Sequence, residues 1–171
     1  MATEKKLDDL FLETLKDIYY AEKQILRALP KMAKNANSPE LKQAFEAHKQ
    51  ETEGQVERLQ QVFEELDTRP RGKHCDAMEG LISEAQEILE MGLAPEVQDA
   101  ALIAAAQKVE HYEIASYGTL HAYATACGLD KVAQLLDETL QEEKDTDSLL
   151  NKLAIGDVNK KAIAASGKKA A

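Results

Sequence analysis

Apolar residues recur at alternating steps of three and four in four separate stretches of the chain, a period that admits little except a bundle of long helices. The first stretch reads Phe11, Leu15, Ile18, Glu22, Ile25, Leu29, Met32, and the second Leu41, Phe45, His48, Thr52, Gln55, Leu59, Val62, Leu66. The third reads Ala106, Glu110, Glu113, Tyr117, Leu120, Ala124, Cys127, and the fourth Val132, Leu135, Thr139, Glu142, Thr146, Leu149, Leu153. Positions on such a seam face neighbouring helices, where an ionised carboxylate without a partner is strongly unfavourable. Yet each seam carries a carboxylate or a histidine near its middle. Several such groups at one level are tolerable if a cation sits among them.

Punctuation divides the seams into elements. The periodicity predicts helices over residues 4–35, 39–66, 76–92, 95–127 and 130–156. Ser38 followed by Pro39 is an N-cap and a first-turn proline, Asp76 and Asp130 are expected as caps, and Gly92, Gly128 and Gly156 as stops. Pro30 is expected to bend or shorten the last turn of the first helix. Short connections make the first two long helices one antiparallel hairpin and the last two another. The middle link differs, since nearly thirty residues separate residue 66 from residue 95. A short helix plus a dozen extended residues spans roughly 40 Å or more, so the second and third long helices can run parallel. The expected fold is therefore all-α, a ferritin-like four-helix bundle over residues 1–157 whose long crossover contains a short fifth helix. Residues 158–171, with Lys160, Lys161, Lys168 and Lys169 among Ala, Ser and Gly, are expected to form a flexible tail.

A gapless internal match supports two similar hairpins, with residues 39–59 aligning on residues 130–150 and Glu51 on Glu142. Matching the first helix to the third places Glu22 on Glu110. Counted from their hairpin turns, Glu22, His48, Glu51, Glu110, Glu113 and Glu142 differ in height by roughly two helical turns, within side-chain reach of one layer. His48/Glu51 and Glu110/Glu113 are three apart and share helix faces. A carboxylate-rich set with one imidazole suits iron or manganese, and paired carboxylates can hold two ions close together. Asp17, His111, Glu143 and Asp145 are expected on solvated faces or orienting the ligands, and Tyr117, one turn beyond Glu113, to hydrogen-bond one of them.

Composition narrows the partners. The net charge of −10 lacks the basic face that nucleic acid or an anionic membrane requires. No apolar run approaches the ~20 residues of a membrane span, and the N-terminus shows no signal-peptide core. The two cysteines, Cys75 and Cys127, lack metal or redox spacing, consistent with a reducing cytoplasm.

Three segments carry a family resemblance: Asp17-Ile-Tyr-Tyr-Ala-Glu-Lys-Gln-Ile, Ala44-Phe-Glu-Ala-His-Lys-Gln-Glu-Thr and Lys108-Val-Glu-His-Tyr-Glu-Ile-Ala-Ser-Tyr-Gly-Thr-Leu. With Glu138-Thr-Leu-Gln-Glu-Glu-Lys, they resemble the bacterial YciF-like family, a domain of unknown function. That resemblance implies a ferritin-like bundle, often a homodimer, linked to stress responses. A wider resemblance to rubrerythrin and ferritin sites implies a dinuclear iron centre reacting with dioxygen or peroxide. Glu22 and Glu110-x-x-Glu113 fit that pattern. The second helix departs from it, since Gly54 follows Glu51 by three and His48 precedes it. The fourth helix has Glu142-x-x-Asp145 and no histidine. The competing expectation is a non-enzymatic helical oligomer whose polar layer sets packing and register.

Overall fold

A computed structural model describes residues 4–165 and residue 167. Four long helices form the bundle: α1 (Leu7–Asn35), α2 (Pro39–Glu65), α4 (Pro95–Ala126) and α5 (Asp130–Leu153). The crossover contains α3 (Asp76–Glu90), and a π-helical turn (Ala154–Val158) leads into α6 (Asn159–Ala165). No strand occurs among the described residues.

Contacts between helices fix the topology. Asn35 at the end of α1 accepts from Gln98 at the start of α4 (2.7 Å), while Cys127 just past α4 donates to Asp8 in the first turn of α1 (3.1 Å). These helices are therefore antiparallel. Lys131 pairs with Glu65 (2.5 Å) and Thr146 reaches Glu51 (3.4 Å), so α2 and α5 are antiparallel too. With two hairpins already antiparallel, α2 and α4 must run the same way, joined by the long crossover. Helices α1 and α2, and α4 and α5, pack as hairpins, while α1 packs on α4 and α2 on α5. Helix α3 lies against α1 and α4.

Helix termini follow local chemistry, with small departures from expectation. Ser38 caps α2, its hydroxyl accepting from the Leu41 amide (3.4 Å). Cys75, not Asp76, caps α3 through its thiol (3.4 Å to the Met78 amide), and Leu129 occupies the cap position of α5. Pro30 does not shorten α1, which continues to Asn35. Gly128 adopts φ +71, the left-handed conformation that ends α4 and admits the sharp turn into α5. Gly72 lets the crossover press on α1, since an added Cβ would stand 3.1 Å from Tyr20 Cβ; the neighbouring Lys73 amide donates to Lys16 O (3.0 Å).

Gly156 does not end the fourth long helix. The backbone loosens into the π turn, buries Ala154 and Val158, and resumes as α6 against α4. Lys160 donates to the Gly156 carbonyl (2.9 Å) and Lys161 pairs with Asp157 (2.5 Å), so the expected tail begins as helix. Lys168 and Lys169 lie outside the described residues.

One buried carboxylate ties the hairpins together. Asp99 of α4 accepts from the backbone amides of Asn37 and Ser38, both at 2.7 Å, in the α1–α2 turn. Hydrogen bonds to a charged acceptor are among the stronger ones, and the partner left behind would be buried at Ser38. Asp99→Ala is expected to lower the unfolding free energy by about 3 kcal/mol, measured by chemical denaturation. A loss below about 0.5 kcal/mol would show that water replaces the carboxylate.

Candidate metal centre

The middle layer of the bundle is polar on every long helix. Glu22 comes from α1, His48 from α2, Glu110 and Glu113 from α4 and Glu143 from α5, and none is more than 4% exposed. One ligand atom from each of His48, Glu110, Glu113 and Glu143 falls within 4.8 Å of all the others. His48 Nε2 stands 3.4 Å from Glu110 Oε1. Glu22 adjoins Glu113, and the Tyr117 hydroxyl donates a short hydrogen bond to Glu22 Oε1. Thr52 adds no donor, because its hydroxyl is used on the His48 carbonyl (2.8 Å).

Protein groups do not satisfy this layer. No N–H or hydroxyl reaches Glu22 Oε2, Glu110 Oε2, either oxygen of Glu113 or Glu143, or either nitrogen of His48. Buried polar atoms almost always have partners, so their concentration at one level sets this layer apart from the rest of the core. Burial raises every carboxyl, with Glu22 pushed up to about 7 and Glu110 to about 8. Glu113 and Glu143 are also raised, by burial first and then by neighbouring carboxylates. Burial pushes His48 down to about 4, which keeps the imidazole neutral and its lone pair free.

Not every residue singled out in the sequence joins the layer. Glu22, His48, Glu110 and Glu113 do. Glu51 is half exposed on the flank, 3.9 Å from His48 Nδ1 and in reach of Thr146. Glu142 is held outside by Arg58, which donates to its two oxygens at 2.9 and 2.8 Å, and by Gln55 at 3.1 Å. Its charge is answered by a guanidinium.

The buried carboxylate of α5 is Glu143, which the sequence had assigned to a solvated or orienting position. The buried face of α5 runs through Val132, Ala133, Leu136, Leu140, Glu143 and Leu150, so the seam lies one residue later than Leu135, Glu142 and Leu149 suggest. Leu136, Leu140 and Leu150 were the available signal. The internal match held another: aligning Glu51 on Glu142 also aligns buried Thr52 on Glu143. Both members of the matched glutamate pair lie on the flank.

The orienting candidates are engaged elsewhere. Asp17 accepts from Tyr112 (2.7 Å), which also contacts Cys75 (3.0 Å); exposed His111 pairs with Asp147 (3.2 Å), and Asp145 accepts from Gln141 (3.0 Å).

The arrangement fits a cation by its chemistry. Its donors are hard carboxylate oxygens with one neutral imidazole, a set suited to iron(II) or manganese(II) and unlike the thiolate-rich cages of structural zinc. The four buried carboxylates, fully ionised, carry four negative charges, which two divalent ions would balance. Fold and site together define a ferritin-like helical bundle with a buried carboxylate–histidine cluster.

Residues 6–163 match the family described as Domain of unknown function (DUF892), and the chain belongs to that family. It is 56% identical over 159 residues to Protein YciF of Escherichia coli strain K12, covering 92% of this chain and 96% of that protein. The crystal structure of the E. coli stress protein YciF superposes with a TM-score of 0.88 at 54% identity, over 92% of this chain and 99% of that one. YcfI of Rhodopseudomonas palustris gives 0.86 at 46% identity, over 88% and 97%.

The raised carboxyl pKa values fix the pH response of metal-free protein. Between the unfolded value of 4.5 and the folded values of about 7 and about 8, the folded state binds more protons than the unfolded state. Stability contributed by these groups is therefore greatest in acid and is lost as pH rises through that window. His48, lowered from 6.5, acts in the opposite sense between about 4 and 6.5, but it is one group against four. Chelator-treated protein should show a falling Tm from pH 6.5 to 9 by circular dichroism. A Tm that rises over that interval would contradict the burial of ionisable carboxyls.

Proposed function

We propose that this layer binds two divalent metal ions, iron in first place and manganese as its substitute, and that the protein is a dinuclear carboxylate protein handling iron or reacting with dioxygen or peroxide. The observation that carries the reading is the set of buried carboxylate and imidazole atoms that no protein donor satisfies. Charge balance supports two ions instead of one. Glu22, Glu110, Glu113 and Glu143 would hold them with His48, Glu110 and Glu113 projecting from one face of α4. Glu51, beside His48 and half exposed, stands just outside this set. Bound iron would supply the redox chemistry.

The protein's own part is positional. Tyr117 fixes Glu22 through its hydroxyl, and Arg58 holds Glu142 on the flank, so that its charge adds little to the interior. Apolar layers on both sides exclude bulk water. Among the described residues no helix is long and apolar enough to cross a membrane. The stress association of the E. coli relative, the homodimer implied by the resemblance and a cytoplasmic setting complete the proposal.

A second reading rests on the carboxyl pairs. Glu22 with Glu113, and Glu110 with Glu143, can each share a proton and so form a neutral polar layer that sets packing without metal.

Elemental analysis separates the two. Protein purified without chelator should carry close to two iron or manganese equivalents per chain. Glu113→Gln and Glu143→Gln should each lose most of that metal while remaining helical, whereas Glu142→Gln should retain it. Metal added to stripped protein at one hundred times its dissociation constant should raise stability by about 2.7 kcal/mol. Metal-free protein from iron-replete cells, with no thermal shift on adding iron(II), would leave the packing reading.

A further inference from the structure

Beside the polar layer lies a small, partly open pocket of about 30 Å³, in the next layer toward the α1–α2 turn. Ile25 is one turn beyond Glu22, Phe45 one turn before His48, and Ala106 one turn before Glu110; Met32 and Leu150 line it further out. His48 and Glu110 are the two members of the metal layer on its wall, and Thr146 is the other polar residue there. The void exists because α4 presents Ala105 and Ala106, and α3 Ala85, where neighbouring layers carry Leu, Ile or Phe. A gap in the apolar packing that adjoins an unsatisfied histidine–glutamate pair is a place where a small guest can sit.

We infer that this cavity is a binding chamber for a small apolar diatomic molecule of dioxygen's chemistry, delivered to the His48–Glu110 side of the metal centre. Its volume admits a guest of roughly one to two water-sized units and nothing as large as a nucleotide, sugar or acyl chain. The walls select further. Hydrogen peroxide carries two hydroxyl groups that must keep hydrogen bonds; only the His48, Glu110 and Thr146 side of the chamber offers partners, and Ile25, Met32, Phe45, Ala106 and Leu150 offer none, so peroxide cannot occupy the apolar part without loss. Dioxygen loses nothing by entering. The chamber thus favours dioxygen over peroxide as the reactant that approaches from this side. The delivery role rests on the metal reading above, whereas the cavity's affinity for an apolar gas does not.

Xenon tests the chamber independently of metal, since dry apolar cavities bind it. Crystals of the stripped full chain pressurised with xenon should show an anomalous peak bounded by Met32, Phe45 and Ala106. Ala106→Leu should abolish that peak while leaving iron content unchanged. In iron-loaded protein the same substitution should slow oxidation by dioxygen severalfold and leave oxidation by hydrogen peroxide unaltered. Absence of xenon from the unsubstituted protein, or ordered water filling the chamber, would overturn the inference even if iron binds. Equal slowing with both oxidants would overturn it too. Xenon bound in protein that takes up no iron would keep the chamber and remove the metal centre, so the two failures are distinct.

Discussion

The structure turns on four carboxyl groups withdrawn from water at a single level of a helical bundle. Apolar packing on either side supplies the driving force for burying them. Leu15, Ile18, Leu59, Leu120 and Leu136 fill one side, and Leu29, Phe45, Leu102, Ile103 and Leu150 the other. Moving any of the four long helices by one residue would replace a carboxylate, or His48 on α2, by a residue from a different face. The polar layer therefore fixes the register of all four helices at once, as single buried polar groups do in coiled coils.

The fold treats its charges in two ways, and the contrast identifies the site. Glu142 is also partly buried, but Arg58 and the Gln55 amide both donate to it, and the guanidinium also bonds the Thr139 hydroxyl. Asp99 receives two backbone amides. These carboxylates have all the partners they need within the chain. Glu113 and Glu143 have none beyond one another and their acidic neighbours.

Most of the architecture was legible in the sequence because it depends on periodicity and connection length. The two hairpins, the long crossover and its short helix follow from where Pro39, Gly92, Pro95 and Gly128 fall. Gly156 misled because tertiary packing overrides local preference near a helix end, here by burying Val158 beyond it. The α5 seam was ambiguous by one residue because two interleaved heptad series both contain leucines and a glutamate. Helical spacing could not say which face turned inward. That choice was made by Arg58 on α2, whose link to Glu142 is invisible to any pattern within α5.

Glu22 and His48 belong to the first hairpin, while Glu110, Glu113 and Glu143 belong to the second. Each hairpin can form from contacts close in sequence, but neither alone owns a complete coordination set. The cluster comes into being only when the halves dock across α1–α4 and α2–α5, the contacts of greatest loop-closure cost. Any ion lodged there would act as a rivet between the two hairpins, and its escape would be tied to their momentary parting.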